Sequence, residues 1–339
     1  MLTPDTFTTF TDAYVAVLRL IHDQPVYHTA GRGKNAIEVP NISFRLDNPA
    51  SRTPYLVCRR TNIVFNHAEL LWYLAARNDL AMISYYAPRL ARYSADRTTL
   101  TGTAYGPRLF APDGPDGLSQ FDRVLDALRE DPDSKRAAMV VMQPHEQLAV
   151  TNPDVACTLG LQFMLRGGAL HATTYMRGND AFLGLLNDTF SFTAIHEIAA
   201  GRLGATLGTY THHVGSMHIN VDHIAKVTAL LAEADAGHTP QFPTVAMPGL
   251  EAAELDLLLE WEERLRTGRD VLTVDAVTAL PLPGYWRQVL LLFEAYRQIQ
   301  QQNPVTAEVS AALTPAHRWL LATRFPTAIP AGEVAGVAS

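Results

Sequence analysis

The stretch that decides the fold runs from Asn152 to His223 and contains NPDVACTLGLQF at 152–163, YMRGNDAFLGLLNDTF at 175–190 and VGSMHIN at 214–220. Apolar runs with strand-like and helical patterns surround a small set of polar or reactive side chains, namely Cys157, Arg177, Asp180, Asp188 and His218. A cysteine and an arginine among such runs are typical of a pocket that binds a charged ligand and attacks it with a thiolate. The stretch therefore predicts a pocket for an anionic substrate.

Length and composition indicate a globular enzyme. The chain has 339 residues, of which 47% are hydrophobic and 18% charged, and its formal net charge is -7. This length accommodates roughly two domains and a large core. A surface that follows a nucleic-acid backbone is usually basic, so the acidic balance argues against a polymeric partner. A local cluster of arginines still suffices to bind one phosphate.

The cysteine content favours a reducing cytoplasm. The chain has two cysteines, Cys58 and Cys157, and shows neither a signal-peptide pattern nor an apolar run of membrane-spanning length. A disulfide between the two is possible in principle, but so few cysteines are typical of a compartment in which both are thiols. Cys58 is interpreted as a small buried apolar residue.

Two helical patterns follow near the start of the chain, and the second carries a candidate acid–base group. The apolar spacing predicts an amphipathic helix over 7–21 and another over 66–83, NHAELLWYLAARNDLAMI. A glutamate on a helix is most often solvated. Glu69 is flanked by Ala68 and Leu70, however, which makes it a candidate buried carboxylate with a raised pKa.

Two basic loops are candidates for binding a phosphate. Arg32 lies between two glycines, which let an arginine approach an anion closely; a solvated loop charge is the alternative. Lys135 and Arg136 follow a predicted helix and open the apolar strand AAMVVM at 137–142.

The pattern changes at Gly249, after which it is almost purely helical. The sequence predicts a catalytic domain over 1–248, a helical C-terminal extension over 249–325 and a disordered tail over 326–339. No metal site is expected, because the adjacent His212 and His213 lack acidic or thiolate partners.

Six separated motifs occur in a fixed order, and together they are specific although each is short. They are AELLWYL at 68–74, AYG at 104–106, DPDSKR at 131–136, Ala156-Cys157 followed by QF at 162–163, YMRGND with FLG at 175–184, and GSMHIN at 215–220. Through these motifs the chain up to His223 resembles the thymidylate synthase family, and the part after Gly249 lies outside the resemblance. The resemblance implies the α/β thymidylate synthase fold, a mixed β-sheet flanked by helices.

The resemblance also implies a reaction. In that family a cysteine thiolate adds to C6 of a pyrimidine nucleotide, which makes C5 nucleophilic towards the one-carbon unit of 5,10-methylenetetrahydrofolate. Cys157 matches the nucleophile, and a nearby Arg177 is expected to favour the ionised thiol. Glu69 matches the glutamate that manages proton transfers and an ordered water, a task suited to a carboxyl shielded from bulk solvent.

Other residues match positions around the substrate. Arg32, Arg136 and Arg177 match the phosphate-binding arginines, and Lys135 stands where the family usually has another arginine. In such enzymes the loop of Lys135 and Arg136 reaches into the partner subunit's site, so the resemblance implies a homodimer. The nucleotide and folate site is expected to include Tyr105, Gln162, Asp180 and His218.

One departure from the family pattern concerns the base. Counting from Gly184 in FLG, Asp188 stands where thymidylate synthases carry an asparagine, whose amide accepts from N3–H and donates to O4 of uracil. A carboxylate repels O4, yet it accepts from the N4 amino group of cytosine, and from N3 if that is protonated. Asp188 therefore favours a cytosine nucleotide, as in the deoxycytidylate hydroxymethylases of the family. In the alternative, Asn187 takes this place and Asp188 caps a helix.

Three departures concern the sugar. Gly178 stands where the family has serine, Asn220 replaces a tyrosine that normally contacts the ribose 3'-hydroxyl, and Lys135 replaces an arginine. These groups make room for a 2'-hydroxyl, and the pattern resembles the CMP hydroxymethylases of nucleoside-antibiotic pathways. The sequence therefore favours CMP over dCMP.

Two further departures concern the product. Thr158 replaces the histidine that follows the nucleophile, and Ser84 falls where the family has a tryptophan. Without a shielding aromatic ring, water reaches the intermediate and gives a 5-hydroxymethyl product with tetrahydrofolate, whereas hydride transfer gives a methyl group and dihydrofolate. The rivals are a dCMP hydroxymethylase, a thymidylate synthase and, in another class, a catalytically silent relative that binds nucleotide or RNA.

Overall fold

The structure, a computed structural model, describes residues 3–148, 151–237 and 239–329, except for the side chains of Arg32 and Leu148. Its strands are β1 Asp5–Phe7, β2 Tyr27–Thr29, β3 Ala36–Leu46, β4 Ala138–Val140, β5 Thr158–Arg166, β6 Ala169–Met176, β7 Asn179–Asp180 and β8 Thr206–Asn220. They form one eight-stranded sheet in the order β1-β3-β8-β6-β5-β4, with β2 paired to β3 and β7 to β8. The sheet is mixed, since β8 runs antiparallel to β3 and parallel to β6.

Helices flank this sheet. Those in the described residues are α1 Phe10–Asp23, α2 Ile63–Leu74, α3 Leu80–Tyr86, α4 Gly106–Phe110, α5 Gln120–Glu130, α6 Gly184–Leu203, α7 Ile224–Asp235, α8 Ala252–Arg266, α9 Val274–Ala279, α10 Gly284–Gln300, α11 Ala307–Ala312 and α12 Pro315–Arg324. The predicted architecture, a mixed sheet with flanking helices, is confirmed.

One face of the sheet carries the core. Along β8, Tyr210, His212 and Val214 are buried, whereas Thr211 and His213 between them are only partly buried. This alternation is expected of a strand that is covered on one side. Helices α1 and α6 pack against β8 and supply the cover.

The other face is more open within the chain. The strand register aligns Val140, Gly160, Tyr175 and His213 across β4, β5, β6 and β8. Directly paired residues point to the same side of a sheet, so these four share the open face. The side chains of Val140 and Tyr175 are 54% and 40% exposed, which leaves apolar surface available to a partner.

The single helix predicted over 66–83 is wrong. α2 ends at Leu74 and α3 begins at Leu80. Ala76 has a positive φ of 53°, and a right-handed helix cannot continue through this left-handed conformation. The conformation is uncommon for residues other than glycine. Asp79 then caps α3 by accepting from the Met82 N–H at 3.0 Å.

The C-terminal helices pack closely onto the rest of the chain. α10 packs against both α2 and α8, the Tyr285 hydroxyl lies 3.0 Å from His67 Nε2, and Tyr86 of α3 donates to Glu262 of α8 at 2.8 Å. The predicted helical pattern after Gly249 is therefore present, while the division into domains at that residue stays a prediction.

The predicted disordered tail begins too early. Ala328 and Ile329 are buried, and the Val305 N–H donates to the Ala328 carbonyl at 2.9 Å. These contacts fix the chain up to residue 329, whereas 330–339 lie outside the described residues. No α-helix in the described part of the chain is both long and apolar enough to cross a membrane.

Candidate active site

Cys157 and Arg177 are brought together by two neighbouring strands. Cys157 directly precedes β5 and Arg177 directly follows β6, and these strands are antiparallel. The Arg177 guanidinium donates through Nε to the Ala156 carbonyl at 2.8 Å, and its Nη2 lies 3.7 Å from the Cys157 sulfur. A guanidinium at this position stabilises a thiolate. The predicted proximity of the two residues is therefore present.

Asp154 ties the Cys157 loop to another part of the chain. It is buried, and its carboxylate accepts from the backbone N–H groups of residues 101–103 at 2.8, 2.8 and 2.9 Å. That segment leads directly into Tyr105. The sequence showed an acidic residue close before the cysteine, but its partners lie in a distant stretch of sequence, so its role was missed.

A second missed carboxylate holds the same loop. Glu146 is buried and forms an ion pair with Arg108 at 2.9 Å, and it also accepts from the Ala156 N–H at 3.3 Å. Charge-assisted hydrogen bonds of this kind are stronger than neutral ones. The backbone on the N-terminal side of Cys157 is therefore fixed by two separate anchors.

Glu69 is buried on α2, as its apolar neighbours predicted, with 5% of its surface exposed. Burial raises its pKa to about 8, and the negative charge of Asp188 adds to the rise. The Ser191 hydroxyl donates to Oε2 at 3.4 Å and acts in the opposite direction. Glu69 consequently holds a proton at neutral pH, although its role in catalysis stays a prediction.

This burial gives a prediction for stability. The folded protein keeps the proton of Glu69 up to a pH of about 8, whereas the usual pKa is 4.5, so the folded state loses stability as the pH rises between these values. In Glu69→Gln we expect the free energy of unfolding to fall less between pH 5 and pH 8, by on the order of a few kcal/mol. Denaturant titrations across this range measure the difference.

Glu130→Gln is a matched control, because Glu130 is exposed at the end of α5. Its unfolding free energy should follow the wild-type pH dependence. A Glu69→Gln protein that also follows the wild type would contradict the raised pKa of Glu69.

Tyr105 is a buried phenol whose pKa is affected by the charges of several candidate catalytic groups. Its ring stacks on that of Tyr73, with centroids 5.4 Å apart. Burial raises the pKa of Tyr105 well above its usual value, and the negative charges of Asp188, Cys157 and Glu69 contribute to the rise. All three groups therefore lie within electrostatic range of one buried phenol.

The glycine of the AYG motif makes this position possible. A Cβ atom at Gly106 would lie 2.7 Å from the carbonyl oxygen of Tyr73, closer than real Cβ contacts. Glycine therefore lets α4 start directly against α2, which places Tyr105 beside Tyr73.

Asp188 lies one turn into α6 and is partly buried. Asn179 Nδ2 donates to Asp188 Oδ2 at 3.0 Å. Burial raises the pKa of Asp188 to about 7, the hydrogen bond from Asn179 lowers it, and the negative charge of Asp180 raises it. The carboxyl therefore changes charge near neutral pH.

The alternative assignment of Asp188 as a helix cap does not fit the structure. The N–H groups of residues 182 and 183, just before α6, donate to Asp180 Oδ1 at 2.9 Å each. Asn187 is also engaged elsewhere, because its Oδ1 accepts from Asn66 Nδ2 at 3.0 Å. Asp188 takes no part in capping, and its role as the base reader stays a prediction.

Asp180, His218 and Asn220 come together where β7 pairs with β8. Asp180 is directly opposite His218 in the register, and the Ala181 N–H donates to the His218 carbonyl at 2.8 Å. Asn220 Nδ2 donates to Asp180 Oδ2 at 2.5 Å. These three predicted residues therefore form one polar group beside the start of α6.

Four other predicted site residues are not brought into described contact with Cys157; they are Lys135, Arg136, Gln162 and Arg32. Lys135 and Arg136 are exposed between α5 and β4, at the far edge of the sheet. Gln162 is paired with Ala138 on β4, and its side chain donates to the Lys135 carbonyl at 3.1 Å, so no described contact joins it to Cys157. Arg32 lies in a 3-10 turn, Gly31–Gly33, and its side chain lies outside the described part.

The interpretation of Cys58 as a buried apolar residue is wrong, because its side chain is exposed. Its backbone N–H donates to Glu233 Oε2 at 2.7 Å, and that of Val57 donates to Oε1 at 2.6 Å. The Glu233 carboxylate binds the backbone of this turn, and the Cys58 thiol lies at the surface. Cys58 and Cys157 are not joined to each other.

A cavity of about 440 Å³ lies elsewhere, between α2, α6 and the C-terminal helices. His67, Phe190, Tyr285 and His317 are among its lining residues, and no predicted site residue lines it. His67 is two residues from Glu69, which is about 200° around a helix. The cavity is therefore on the opposite side of α2 from the Glu69 side chain.

Comparisons with known proteins place the chain in a family. Residues 12–255 match the family described as thymidylate synthase, so the match ends within α8. Among solved structures, a thermostable thymidylate synthase A from Bacillus subtilis is similar, with a TM-score of 0.56 and 23% identity over 66% of this chain and 84% of that one. This likeness confirms the predicted fold.

Curated relatives match over shorter stretches. A deoxyuridylate hydroxymethyltransferase of Bacillus phage SP01 is 32% identical over 209 residues, 59% of this chain and 54% of the relative. A putative thymidylate synthase of Methanocaldococcus jannaschii is 34% identical over 122 residues, 35% of this chain and 55% of the relative. A deoxyuridylate hydroxymethyltransferase of Pseudomonas phage M6 is 29% identical over 187 residues, which cover 54% of this chain and 51% of the relative. The chain thus spans about half the length of the curated relatives it matches.

Proposed function

The chain belongs to the thymidylate synthase family, and we propose that it is a folate-dependent CMP 5-hydroxymethylase. It would transfer a one-carbon unit from 5,10-methylenetetrahydrofolate to C5 of CMP and add water, giving 5-hydroxymethyl-CMP and tetrahydrofolate. The observation that carries this proposal is the Asp188 carboxyl, which lies one turn into α6 at the position of the family's base-reading asparagine and accepts a hydrogen bond from Asn179 Nδ2 at 3.0 Å. A carboxylate at that place accepts a hydrogen bond from the N4 amino group of cytosine.

Cys157 and Arg177 supply the nucleophile in this mechanism. The Cys157 thiolate forms a bond to C6 of CMP, and the electron pair of the C5–C6 double bond moves towards C5. Arg177, with its Nη2 3.7 Å from the sulfur, stabilises the thiolate before the attack. Its guanidinium is exposed, so it remains accessible to the phosphate of the nucleotide.

Glu69 manages the protons. Because burial holds its pKa at about 8, the carboxyl is protonated at neutral pH and can donate to the base through an ordered water as C6 is attacked. Once it is ionised, the same group can accept the proton that leaves C5. Ser191, which donates to Oε2 at 3.4 Å, orients the carboxyl for both steps.

The site contains a buried acceptor oxygen without a hydrogen-bond donor, that of Asn66, which a folate could satisfy. When bound, the folate supplies an electrophilic one-carbon unit. Asn66 lies three residues before Glu69 on α2 and thus on the same side of the helix; its Oδ1 is buried and accepts no hydrogen bond. An N–H group of a pterin ring or a p-aminobenzoyl group would satisfy this oxygen, so Asn66 would hold the cofactor together with Asp180, which matches a position of the family's nucleotide and folate site.

The names of two relatives support hydroxymethyl transfer and also define the main rival. Both are called deoxyuridylate hydroxymethyltransferases, which makes dUMP a competing substrate beside dCMP. The decisive experiment is steady-state turnover of CMP, dCMP and dUMP with methylenetetrahydrofolate, with products identified by mass. CMP should be preferred, and the product should carry a hydroxymethyl group. Preferred turnover of dUMP would refute the reading of Asp188.

The preference for CMP over dCMP rests on the sugar positions. A Cβ atom at Gly178 would lie 3.6 Å from the Ser216 carbonyl oxygen, an ordinary contact, so the glycine leaves space without being required by the fold. Asn220 is bound to Asp180. Neither side chain fills the volume of the serine and tyrosine that the family pattern has there.

This space predicts the effect of Gly178→Ser. The added hydroxymethyl group should crowd a ribose 2'-hydroxyl, so we expect kcat/KM for CMP to fall by about tenfold relative to that for dCMP. Kinetics with both nucleotides measure the ratio. Gly249→Ser is the control, because a Cβ atom there meets nothing within 4 Å; an equal loss with both nucleotides in Gly178→Ser would contradict the assignment.

The homodimer is part of the proposal. Lys135 and Arg136 are exposed and away from Cys157 within the chain, as expected of residues that act in a partner's site. The open sheet face, with exposed Val140 and Tyr175, supplies apolar surface next to them. A symmetric dimer through this face would put the basic loop of each subunit near the other.

A complementation experiment tests this arrangement. Cys157→Ala and Arg136→Ala should each be poorly active alone, whereas subunits exchanged between them should recover about one quarter of wild-type activity, since half of the random dimers have one intact site. Sedimentation velocity checks that the dimers form. Failure of the mixed sample to exceed the sum of its components would contradict a shared site.

A further inference from the structure

We propose that Asn179 determines the base specificity of this site by holding Asp188 as an ionised carboxylate, so that the site accepts cytosine and rejects uracil. The inference rests on the proposed function, because it concerns the residue assigned there to read the base. It adds a positioning residue that lies outside the set predicted from the motifs.

The geometry joins Asn179 to Asp188, and the same Nδ2 also lies 2.7 Å from the Met176 sulfur. The side chain is buried, with 3% of its surface exposed, and its Nδ2 donates to Asp188 Oδ2 at 3.0 Å. Its Oδ1 is buried and accepts no hydrogen bond. A buried amide oxygen without a partner is costly, and Asn179 bears this cost at the position from which its Nδ2 reaches Asp188.

The FLG motif makes room for this bond. A Cβ atom at Gly184 would lie 3.1 Å from Asn179 Oδ1 and 3.4 Å from Asp188 Oδ2, so a side chain there would crowd both groups. Glycine at the start of α6 therefore allows the amide and the carboxyl to meet.

The surroundings of Asp188 otherwise oppose its ionisation. Burial and the negative charge of Asp180 both raise its pKa, which reaches about 7, and the hydrogen bond from Asn179 is the contribution that lowers it. Titratable groups on the elements packed around Asp188 also interact with it. None of those in the described residues is positively charged; they are Asp180, Glu69 and Tyr73 of α2, Tyr105, and Tyr210 of β8. Without Asn179, Asp188 would hold its proton at neutral pH.

The proton decides which bases fit. An ionised carboxylate only accepts, so it binds the N4 amino group of cytosine and repels O4 of uracil. A protonated carboxyl has one donor and one acceptor. It can bind N4 and N3 of cytosine, or equally N3–H and O4 of uracil, as an asparagine amide does. Discrimination between the bases is therefore lost when Asp188 is protonated.

The test compares kcat/KM for CMP with that for UMP in the full-length protein at pH 6.5, 7.5 and 9. In Asn179→Ala and in Asn179→Leu, which keeps about the same side-chain volume but removes the donor, we expect the ratio at pH 7.5 to fall by about tenfold or more. In Asn179→Ala the preference for CMP should recover at pH 9, as Asp188 ionises. Asn303→Ala, at an exposed asparagine that follows α10, should keep the wild-type ratio.

The outcomes separate this inference from the proposed function. If Asn179 is only structural, activity with both nucleotides will fall together at an unchanged ratio, and the inference is overturned. If Asp188→Asn also leaves the ratio unchanged, Asp188 does not read the base and the proposed function fails with it. Should Asn179→Ala not fold, Asn179→Leu alone decides between these results.

Discussion

Replacing Cys157 by alanine is expected to abolish the release of tritium from C5 of labelled CMP, by at least about 10⁴-fold, as for the loss of a catalytic nucleophile. The reason is that C5 exchanges its hydrogen only after a thiolate has added to C6. The assay needs neither the folate nor the later steps, so it isolates the residue that makes the first bond. The Arg177 guanidinium donates to the Ala156 and Val155 carbonyls at 2.8 and 3.2 Å, so the substitution should leave the group proposed to bind the phosphate in place.

Cys58→Ala is the matched control, because Cys58 is the other cysteine and is exposed at a turn. Its exchange rate should equal that of the wild type. Exchange that persists in Cys157→Ala would assign the nucleophile elsewhere. A wild-type protein that releases no tritium from CMP, dCMP or dUMP would instead support the catalytically silent relative.

The fold was predictable where local pattern and packing agree. Individual helices such as the one predicted over 7–21 follow from apolar periodicity, whereas the mixed sheet with flanking helices was implied by the family resemblance of the six motifs. The break between α2 and α3 was not visible, because Leu80, Met82 and Ile83 continue the apolar spacing. The positive φ at Ala76 reflects tertiary packing that residue type alone does not signal.

The site was predictable for residues whose chemistry is rare in its surroundings. A glutamate and a cysteine among apolar neighbours stand out in the sequence, and in the fold the charges of Glu69 and Cys157 both affect the pKa of one phenol, that of Tyr105; their catalytic roles stay predictions. Asp154, Glu146 and Asn179 do not stand out, because polar residues in loops and strand ends are common. Their functions come from partners that only the fold brings close.

Asp188→Asn is expected to change the preferred base from cytosine to uracil. The amide donates to O4 and accepts from N3–H of uracil, whereas the carboxylate accepts from N4 of cytosine. One well-placed base contact is worth ~1–3 kcal/mol, so the ratio of kcat/KM for CMP to that for UMP should change by about 100-fold. Competition between the two nucleotides, with product masses recorded, measures the ratio directly.

The same substitution carries a second, independent readout at Glu69. The negative charge of Asp188 contributes to the raised pKa of Glu69, so the neutral amide of Asp188→Asn should lower that pKa. The upper limit of the pH range over which Glu69 stays protonated then moves to lower values, and a pH titration of its carboxyl carbon signal by NMR measures this shift separately from the loss of the Asp188 carboxyl itself. A change of base preference without this shift would leave Asp188 as the base reader but would show that its charge does not affect the pKa of Glu69. A shift without a change of preference would show that the carboxyl acts on proton transfer and not on recognition.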